Sequence, residues 1–211
     1  TTAGYYGTIN LRTNHAIVTD TENIDGTTYK TAYLEKLLPN YLVDDTIETQ
    51  TLAQAIEEAS DGSTIKLQRD YTDTSSGTIS KNVTLDLQTY TLTRSATVTV
   101  NSGVTTTITG STGGKLTTGT TNLNTITNAG TLTIDGEATI EHNGTNTSYY
   151  AITNSIAGAV LNVKSGTITS ATYGIYNNNS TATTNIGDST DTLSITNPTI
   201  SGGTYGVYNN S

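Results

Sequence analysis

The chain of 211 residues lacks cysteine, methionine, tryptophan and phenylalanine altogether. Without cysteine it can form neither disulfides nor thiolate metal sites, and with tyrosine as its only aromatic residue it must build a core from Ile, Leu, Val and Ala. Basic residues are also scarce, since 9 Lys and Arg stand against 18 acidic residues. The resulting net charge of -9 argues against nucleic acid and against an anionic membrane surface as partners, because both are recognised by clustered Lys and Arg.

Long apolar runs are missing too. None approaches the 18 or more residues of a membrane-spanning helix, so no membrane insertion is predicted. The chain begins at Thr1 without Met and stops inside a repeated phrase, which favours a piece of a larger parent chain.

What is abundant is threonine, with 50 residues, about a quarter of the chain. Because Thr, Ile and Val favour half-buried strands over helices, an all-β protein is predicted.

A short phrase recurs at uneven intervals. It reads YAITNS at 150–155, YGIYNN at 173–178 and YGVYNN at 205–210. When each copy is anchored on its Asn, the spacings from 101 to 209 are 27, 26, 23 and 32 residues. Short strands at variable spacing are typical of a solenoid whose loops absorb insertions. The prediction is a right-handed parallel β-helix of about six coils, with equivalent strands about 4.8 Å apart.

The repeated Asn residues are predicted to stack inside the coils. Strand parity places Ile175 and Asn177 inward and Tyr176 outward. An inward amide is costly unless it finds hydrogen-bond partners, and stacked amides supply them to one another. We therefore predict an internal ladder formed by Asn101, Asn128, Asn154, Asn177 and Asn209.

The segment 51–67, TLAQAIEEASDGSTIKL, predicts a short helix that caps the first coil. Thr51 and Gln54 form a capping box, Gly62 ends the helix, and TIKL begins the first strand. Residues 1–50 are predicted to be an N-terminal extension, an extra cap, or a segment that docks on another subunit. Within them AYLEKLLPNYL favours a short amphipathic helix and GTINLRTNHAIVTD favours one or two strands.

The helix pattern TL-x-x-AI-x-x-A-x-DG-x-TI-x-L is followed by NVTLDLQTYTLT and by repeats such as ITNAGTLTIDG. Together these resemble the right-handed parallel β-helix proteins of the pectate-lyase-like fold. More narrowly, they are similar to the repeat regions of large bacterial cell-surface proteins. The resemblance covers residues 51–211 and implies an extracellular, surface-attached bacterial protein. It is specific for fold rather than function, because this fold carries lyases, hydrolases, adhesins and plain stalks.

Enzymes of this fold need acidic side chains on adjacent coils, either to hold calcium or to act as a carboxylate pair. Aligning Leu87 with Ile108 places Asp86 in one outward column with Thr107, and no column of carboxylates results. We therefore predict no catalytic residue, no metal site and no cofactor.

One weak cation site remains as an alternative to solvated strand ends. It would use acidic residues that are close in sequence to His142, namely Asp135, Glu137 and Glu141. The other histidine, His15, has no zinc-ligand spacing to His142.

Tyrosine suggests a binding surface. Tyr176 and Tyr208 hold equivalent outward positions on successive coils and predict an aromatic step on which a sugar ring could lie, the alternative being a ladder that only stabilises the strands. Tyr150, Tyr173 and Tyr205 have inward parity and are predicted to fill the core or a corner.

The expected function is that of a non-catalytic extracellular surface protein, acting as stalk, adhesin or fibre element. Its partner would be a glycan or surface protein of a host or neighbouring cell. Because an uncapped C-terminal coil leaves open strand edges, a filament of copies stacked head to tail is an alternative. A polysaccharide lyase or glycan-binding module is the second alternative. The insertion at 177–192 is predicted to be a solvated bulge.

Overall fold

The structure, a computed structural model, describes residues 15–119, 122–187 and 197–210. The chain divides into two units, residues 1–39 and 40–211. In the first unit, β1 (His15–Ile24) and β2 (Thr27–Lys36) pair antiparallel along their whole length. The turn between them is Asp25-Gly26, and both residues have positive φ, 52° and 77°. This is the backbone that a tight two-residue hairpin turn requires.

The helix predicted for AYLEKLLPNYL is wrong. Residues 32–36 belong to β2, and Tyr41–Val43 forms the strand β3 of the second unit. The reason is that a helix this short is marginal by itself, whereas the Asp25-Gly26 turn lets residues 32–36 pair with residues 15–19 of β1. The strand predicted for GTINLRTNHAIVTD (residues 7–20) is present in part as β1, which begins at His15. Residues 7–14 lie outside the described residues.

The second unit begins with a cap. After β3 (Tyr41–Val43) and β4 (Ile47–Thr49) comes the helix α1 (Leu52–Glu58). The Thr51 hydroxyl accepts a hydrogen bond from the Gln54 backbone N–H at 3.2 Å, and Gln54 Oε1 accepts from the Gln50 N–H at 3.1 Å. The first bond satisfies an N–H group that the first helical turn leaves without an intrahelical partner, and the second fixes the residue just before the N-cap. The short helix is thus confirmed, although it ends at Glu58, before the turn that contains Gly62.

Within the described residues, eighteen further strands form three parallel sheets. Sheet 1 contains β5 (Thr64–Leu67), β8 (Val83–Asp86), β11 (Thr105–Thr109), β14 (Thr131–Ile134), β17 (Val160–Val163) and β20 (Thr183–Ile186). Sheet 2 contains β6 (Tyr71–Asp73), β9 (Thr91–Arg94), β12 (Lys115–Thr118), β15 (Thr139–His142), β18 (Thr167–Ser170) and β21 (Thr199–Gly202). Sheet 3 contains β7 (Gly77–Ile79), β10 (Val98–Val100), β13 (Ile126–Asn128), β16 (Ile152–Thr153), β19 (Tyr173–Asn177) and β22 (Tyr205–Asn209).

The chain visits the three sheets in turn, so one strand from each sheet makes a rung, from rung 1 (β5, β6, β7) to rung 6 (β20, β21, β22). Every strand pairs in parallel with its equivalent in the next rung. This confirms an all-β parallel solenoid, and its roughly five turns fit the predicted number of coils. The right-handed sense of the coil stays a prediction.

The core is a set of columns in which like residues stack. In sheet 1 one column contains Leu85, Ile108, Ile134 and Val163, each 0% exposed. Comparable columns of Ile, Leu and Val line the other two sheets. The alternation of buried and half-buried residues along these strands matches the predicted inward and outward parity.

The two ends of the solenoid differ. At rung 1, β3 pairs antiparallel with β5, and α1 packs against β3, β4 and β7. Lys81 Nζ donates to the carbonyls of Glu57 and Ala59 and so ties the end of α1 to the solenoid. At rung 6, by contrast, the inward-type residues Ile186 and Val207 are 52% and 37% exposed. The predicted solvated bulge at 177–192 is corrected in part, because Thr183–Ile186 pairs with β17 as strand β20; residues 188–192 lie outside the described residues.

Candidate functional site

Four of the five predicted ladder asparagines are joined by side-chain hydrogen bonds along the solenoid. Asn128 Nδ2 donates to Asn154 Oδ1 at 2.9 Å, Asn154 Nδ2 donates to Asn177 Oδ1 at 3.4 Å, and Asn177 Nδ2 donates to Asn209 Oδ1 at 2.9 Å. Asn128 and Asn154 are completely buried and Asn177 is nearly so. Each carboxamide carries both donors and an acceptor, so identical side chains one rung apart satisfy one another.

The ladder also holds the turns between sheets 3 and 1. Asn128 Oδ1 accepts from the Gly130 N–H at 3.2 Å, while Asn128 Nδ2 donates to the Val160 carbonyl at 2.9 Å. Gly130 must be glycine, because a Cβ there would lie 2.3 Å from the Val104 carbonyl oxygen. Asn128 therefore connects its own turn to the start of β17, and Asn154 Nδ2 similarly donates to the Thr183 carbonyl at the start of β20 at 2.9 Å.

Asn101 is not part of the ladder. The register pairs Val98 with Ile126 and Val100 with Asn128, so Val100 and not Asn101 occupies the ladder column in rung 2. In rung 1 the same position is Ile79. Asn101 is half-buried in the turn after β10, where its carbonyl accepts from the Val104 N–H at 3.1 Å. The column thus changes from apolar residues in rungs 1 and 2 to amides from rung 3 onward.

Tyr176 and Tyr208 lie on the outer surface in one column of sheet 3, with parallel rings whose centroids are 5.6 Å apart. They belong to a larger group, which we call the tyrosine stack. It consists of five half-exposed or exposed residues from rungs 4 to 6: Tyr150, Tyr173, Tyr176, Tyr205 and Tyr208. Of the predicted places for Tyr150, Tyr173 and Tyr205, the core is therefore wrong, and a place at a corner stays a prediction. Gly174 and Ile175 are both buried, so strict alternation breaks in β19 and Tyr173 shares the outer surface with Tyr176.

The ring geometry limits what the tyrosine stack can bind. Tyr150 of rung 4 stacks on Tyr173 and Tyr176 at 5.2 and 4.4 Å, and Tyr208 of rung 6 stacks on the same two rings at 4.9 and 5.6 Å. The faces of the rung 5 rings are therefore covered by tyrosines from both sides. Sugars bind to aromatic rings through the ring face, so only ring edges and hydroxyls of rung 5 are offered to a ligand. The stack is first of all a contact between rungs.

A second internal column was not predicted from the sequence. It runs along the inner side of sheet 2 through Asp73, Arg94, Thr118, His142 and Ser170. All five are buried, and Asp73 and Arg94 are 0% exposed. His142 Nδ1 lies 3.3 Å from Ser170 Oγ. No residue type repeats along this column, so no sequence period reveals it, and we call it the inner polar column.

Asp73 is the centre of the inner polar column. It forms an ion pair with Arg94 at 3.0 Å and accepts hydrogen bonds from the Tyr41 hydroxyl at 2.8 Å and from the Leu52 and Ser75 N–H groups, both at 2.7 Å. These partners come from β3, from the first residue of α1, and from rungs 1 and 2. One carboxylate therefore fastens the cap to the solenoid.

The pKa values follow from this arrangement. Burial alone would raise the pKa of Asp73, but the hydrogen bonds from Leu52 and Ser75 and the charge of Arg94 outweigh it and leave the pKa below its usual value. Burial, followed by the neighbouring Asp73 carboxylate, raises the pKa of Tyr41 well above its usual value. Asp73 is thus held ionised and Tyr41 neutral, which is the state that their hydrogen bond requires.

Among the described residues, the outer carboxylates do not form a column. The strand register nevertheless differs by two residues from the predicted one. Ile108 pairs with Leu85, not Leu87, so Asp86 lies beside Thr109, and the next residue in that column is Asp135. Both acids hold turns: Asp86 accepts from the Gln88 N–H at 2.9 Å, and Asp135 accepts from the Ser165 hydroxyl at 2.9 Å.

The weak cation site is not assembled either. Glu141 points outward and pairs with Lys115 at 3.3 Å, whereas the next residue, His142, is buried on the inner side. Glu137 accepts a hydrogen bond from Thr112. Within residues 15–119, 122–187 and 197–210, no three His, Asp or Glu side chains are close enough together to hold a metal ion. Of His15, only its place in β1 is described.

Among the described elements, no helix has the length and apolar character needed to cross a membrane. In comparisons with known proteins, no family model, no curated protein and no solved structure matches this chain.

Proposed function

We propose that the chain is a non-catalytic structural segment of a bacterial extracellular surface protein, acting as a stiff stalk. The single observation that supports this most strongly is the unbroken stacking of three parallel sheets over six rungs. Backbone hydrogen bonds in all three sheets run along the solenoid axis, and the asparagine ladder adds side-chain bonds in the same direction. Such an arrangement resists bending and pulling, while its outer residues vary without affecting the core.

Force spectroscopy tests the stalk. When the chain is pulled from both ends, the rungs should detach one after another, because each rung contacts only its neighbours. With 23 to 32 residues per repeat, each step should lengthen the chain by roughly 80 to 110 Å. Extension without any force-resisting step would contradict a role as a stalk under tension. Antibody labelling of intact source cells tests the surface location, and labelling only after lysis would contradict it.

The cap at rung 1 favours a stalk over a filament of copies stacked head to tail. Head-to-tail stacking needs rung 1 of one copy to pair with rung 6 of the next. In sheet 1 that edge of rung 1 is already paired with β3, and α1 packs beside it. Long fibres of the pure chain in negative-stain images would overturn this preference.

Glycan binding at Tyr176 and Tyr208 is a second candidate, favoured by the five neighbouring tyrosines on one part of the surface. Because the ring faces of rung 5 are covered, a glycan would contact the tyrosine hydroxyls. Changing both Tyr176→Phe and Tyr208→Phe keeps the stack and removes those hydroxyls, so it should abolish binding on a glycan array. Binding that survives this double change would contradict the assignment. Turnover of acidic polysaccharides would instead support the lyase alternative and overturn the non-catalytic proposal.

A further inference from the structure

The tyrosine stack brings phenol rings of neighbouring rungs into contact through their faces. The rings of Tyr150 in rung 4 and Tyr176 in rung 5 are nearly parallel, with centroids 4.4 Å apart and planes inclined by 17°. Tyr173 and Tyr208 repeat this contact between rungs 5 and 6, with centroids 4.9 Å apart. At these separations the ring carbons of one residue lie against the ring carbons of the next.

The stack is also open to an oxidant in solution. All five of its rings are half-exposed or exposed, so the phenol proton that leaves on oxidation can pass directly to water. Cysteine and methionine, which oxidants attack readily, are absent from the chain, and so is tryptophan. One-electron oxidation of this protein should therefore act on tyrosine.

A second tyrosine pair, Tyr41 and Tyr71, has a different geometry. Its ring centroids are 6.1 Å apart and its planes are inclined by 86°. Tyr41 is completely buried and donates its hydroxyl hydrogen to Asp73. Because this ring is shielded from solvent and meets its neighbour nearly at a right angle, the pair serves as a control within the same chain.

We propose that the tyrosine stack is a site of oxidative cross-linking, where Tyr150 becomes joined to a ring of rung 5 as dityrosine. Tyr176 is the nearer of the two rung 5 rings, at 4.4 Å against 5.2 Å for Tyr173. The oxidant is hydrogen peroxide acting through a haem peroxidase. The bond crosses from rung 4 to rung 5 and adds a covalent link to strands that are otherwise held by hydrogen bonds and packing.

The chemistry of this cross-link balances without any group from the protein other than the two phenols. Each phenol loses one electron and its hydroxyl proton, and the two radicals form a bond between ring carbons next to the hydroxyl groups. The ring hydrogen at each bonded carbon then moves to the oxygen and restores the phenol. The peroxide takes up the two electrons and two protons and becomes two water molecules. Because the stack already holds the rings together, coupling needs no encounter between two chains.

Tryptic mapping detects the bond directly. Trypsin cleaves after Lys164 and so separates Tyr150, in the fragment 116–164, from Tyr176, in the fragment 165–211. The chain is treated with a haem peroxidase and dilute hydrogen peroxide at low protein concentration and is then unfolded and digested. We expect the two fragments to remain joined as one species that has lost two hydrogen atoms and shows dityrosine fluorescence.

The buried pair gives the internal control in the same digest. Tyr41 lies in the tryptic fragment 37–66 and Tyr71 in the fragment 70–81. These two fragments should stay separate under conditions that join the fragments of the stack. Equal cross-linking of both pairs would overturn the proposal, because the geometry of the stack would then not select the site.

Two adjacent residues provide matched variants. Tyr150→Phe keeps the ring but cannot form a phenoxyl radical, so the joined species should be lost. Tyr149→Phe changes a residue of the same fragment that is outside the tyrosine stack, and it should leave the joined species unchanged. The proposal is overturned if the fragments stay separate in the unchanged protein, if the joined species survives Tyr150→Phe, or if only different chains become linked.

The result does not depend on the folding of the variants. If Tyr150→Phe fails to fold by circular dichroism, fragmentation of the joined species from the unchanged protein in a mass spectrometer locates the bonded residues. A bond between Tyr150 and either Tyr176 or Tyr173 supports the proposal. A bond at any other tyrosine contradicts it.

Discussion

The first two rungs and the last three rungs bury polar groups in different ways. Rungs 1 and 2 fill the ladder column with Ile79 and Val100 and concentrate their buried polarity in the Asp73–Arg94 ion pair. Rungs 4 to 6 fill the same column with amides and add the tyrosine stack on the outside. The early rungs carry the cap, whereas the late rungs only repeat.

The difference follows from the chemistry of the two groups. A carboxamide is both donor and acceptor, so the same residue can satisfy itself over any number of rungs at the spacing of a parallel sheet. A carboxylate accepts only, so Asp73 needs several different donors, which it finds in Arg94, Tyr41 and α1. Carboxamides can therefore stabilise the repeating rungs one after another, whereas the Asp73 cluster, which occurs once, holds the cap to the first two rungs.

Removing Arg94 should have the largest effect. Arg94→Met leaves the buried Asp73 without its cation, and breaking a buried ion pair from one side costs about 3–5 kcal/mol of unfolding free energy. Urea denaturation followed by circular dichroism measures it. The matched control is Lys115→Met, which breaks the more exposed pair with Glu141 and should cost at most about 1 kcal/mol. Equal costs for the two variants would remove the distinction between a buried and a surface pair.

Acid should weaken the same cluster by a smaller amount. The pKa of Asp73 is below its usual value in the folded protein, while the unfolded chain should titrate near pH 4. The unfolded state therefore binds the proton first, so this stabilisation is present above about pH 4 and is lost as the pH falls through the lower folded pKa. Asp73→Asn should be less stable than the unchanged protein at neutral pH, and the two stability curves should converge in acid. Parallel curves would contradict the depressed pKa.

The repeating ladder could be predicted from the sequence more completely than the ionic cluster of the first two rungs. The ladder was visible because Asn128, Asn154, Asn177 and Asn209 recur in similar phrases. Asn101 was misplaced by one residue because its phrase, VTVNSG, puts Asn after the strand instead of at its last inward position. Without a strand register, a single Asn cannot be assigned to the column or to the turn.

The ionic cluster could not be found in this way. Asp73 and Arg94 occur once each at their positions, and their contact becomes apparent only when β6 and β9 are aligned. Residues 32–36 of β2 are predicted as part of a helix because AYLEKLLPNYL has apolar residues at helical spacing, and pairing with β1 overrides that local preference. The tyrosine stack was half predicted, since parity located Tyr176 and Tyr208 but failed for Tyr173 beside the buried pair Gly174 and Ile175.

Interrupting the asparagine ladder should cost less than breaking the ion pair. Asn154→Val deprives Asn177 Oδ1 and the Thr183 carbonyl of their donor, and a buried unsatisfied group costs about 1–3 kcal/mol. Urea denaturation again provides the measurement. Asn162→Val is the control, because Asn162 bonds Asn185 on the exposed outer surface, and it should cost only a few tenths of a kcal/mol.

Replacing the whole ladder separates shape from hydrogen bonding. Changing all four amides to Val leaves no unsatisfied amide within the column, and replacing both members of a hydrogen-bonded pair by apolar groups can be nearly neutral. Only the backbone groups bonded by the ladder, such as the Gly130 N–H and the Val160 and Thr183 carbonyls, lose a partner. Val100 already fills this column in rung 2. The fourfold variant should therefore be more stable than four times the single cost would predict. Strict additivity would contradict a self-satisfying ladder.

The tyrosine stack should give the smallest effect and the most local one. Tyr176 stacks on Tyr150, Tyr173 and Tyr208, and an aromatic pair contributes about 0.5–1.5 kcal/mol beyond its buried area. Tyr176→Ala should lower the free energy of local opening of β19 and β22 by about 1–2 kcal/mol, because a solenoid rung contacts only its neighbours.

Hydrogen exchange should then accelerate in rungs 5 and 6 and stay unchanged in rungs 1 and 2, where the ionic cluster holds the cap. Tyr176→Phe keeps the ring and should leave exchange unaltered throughout. Faster exchange in rung 1 would instead show that the capped rungs and the last rungs open together. The two regions would then not differ in local stability.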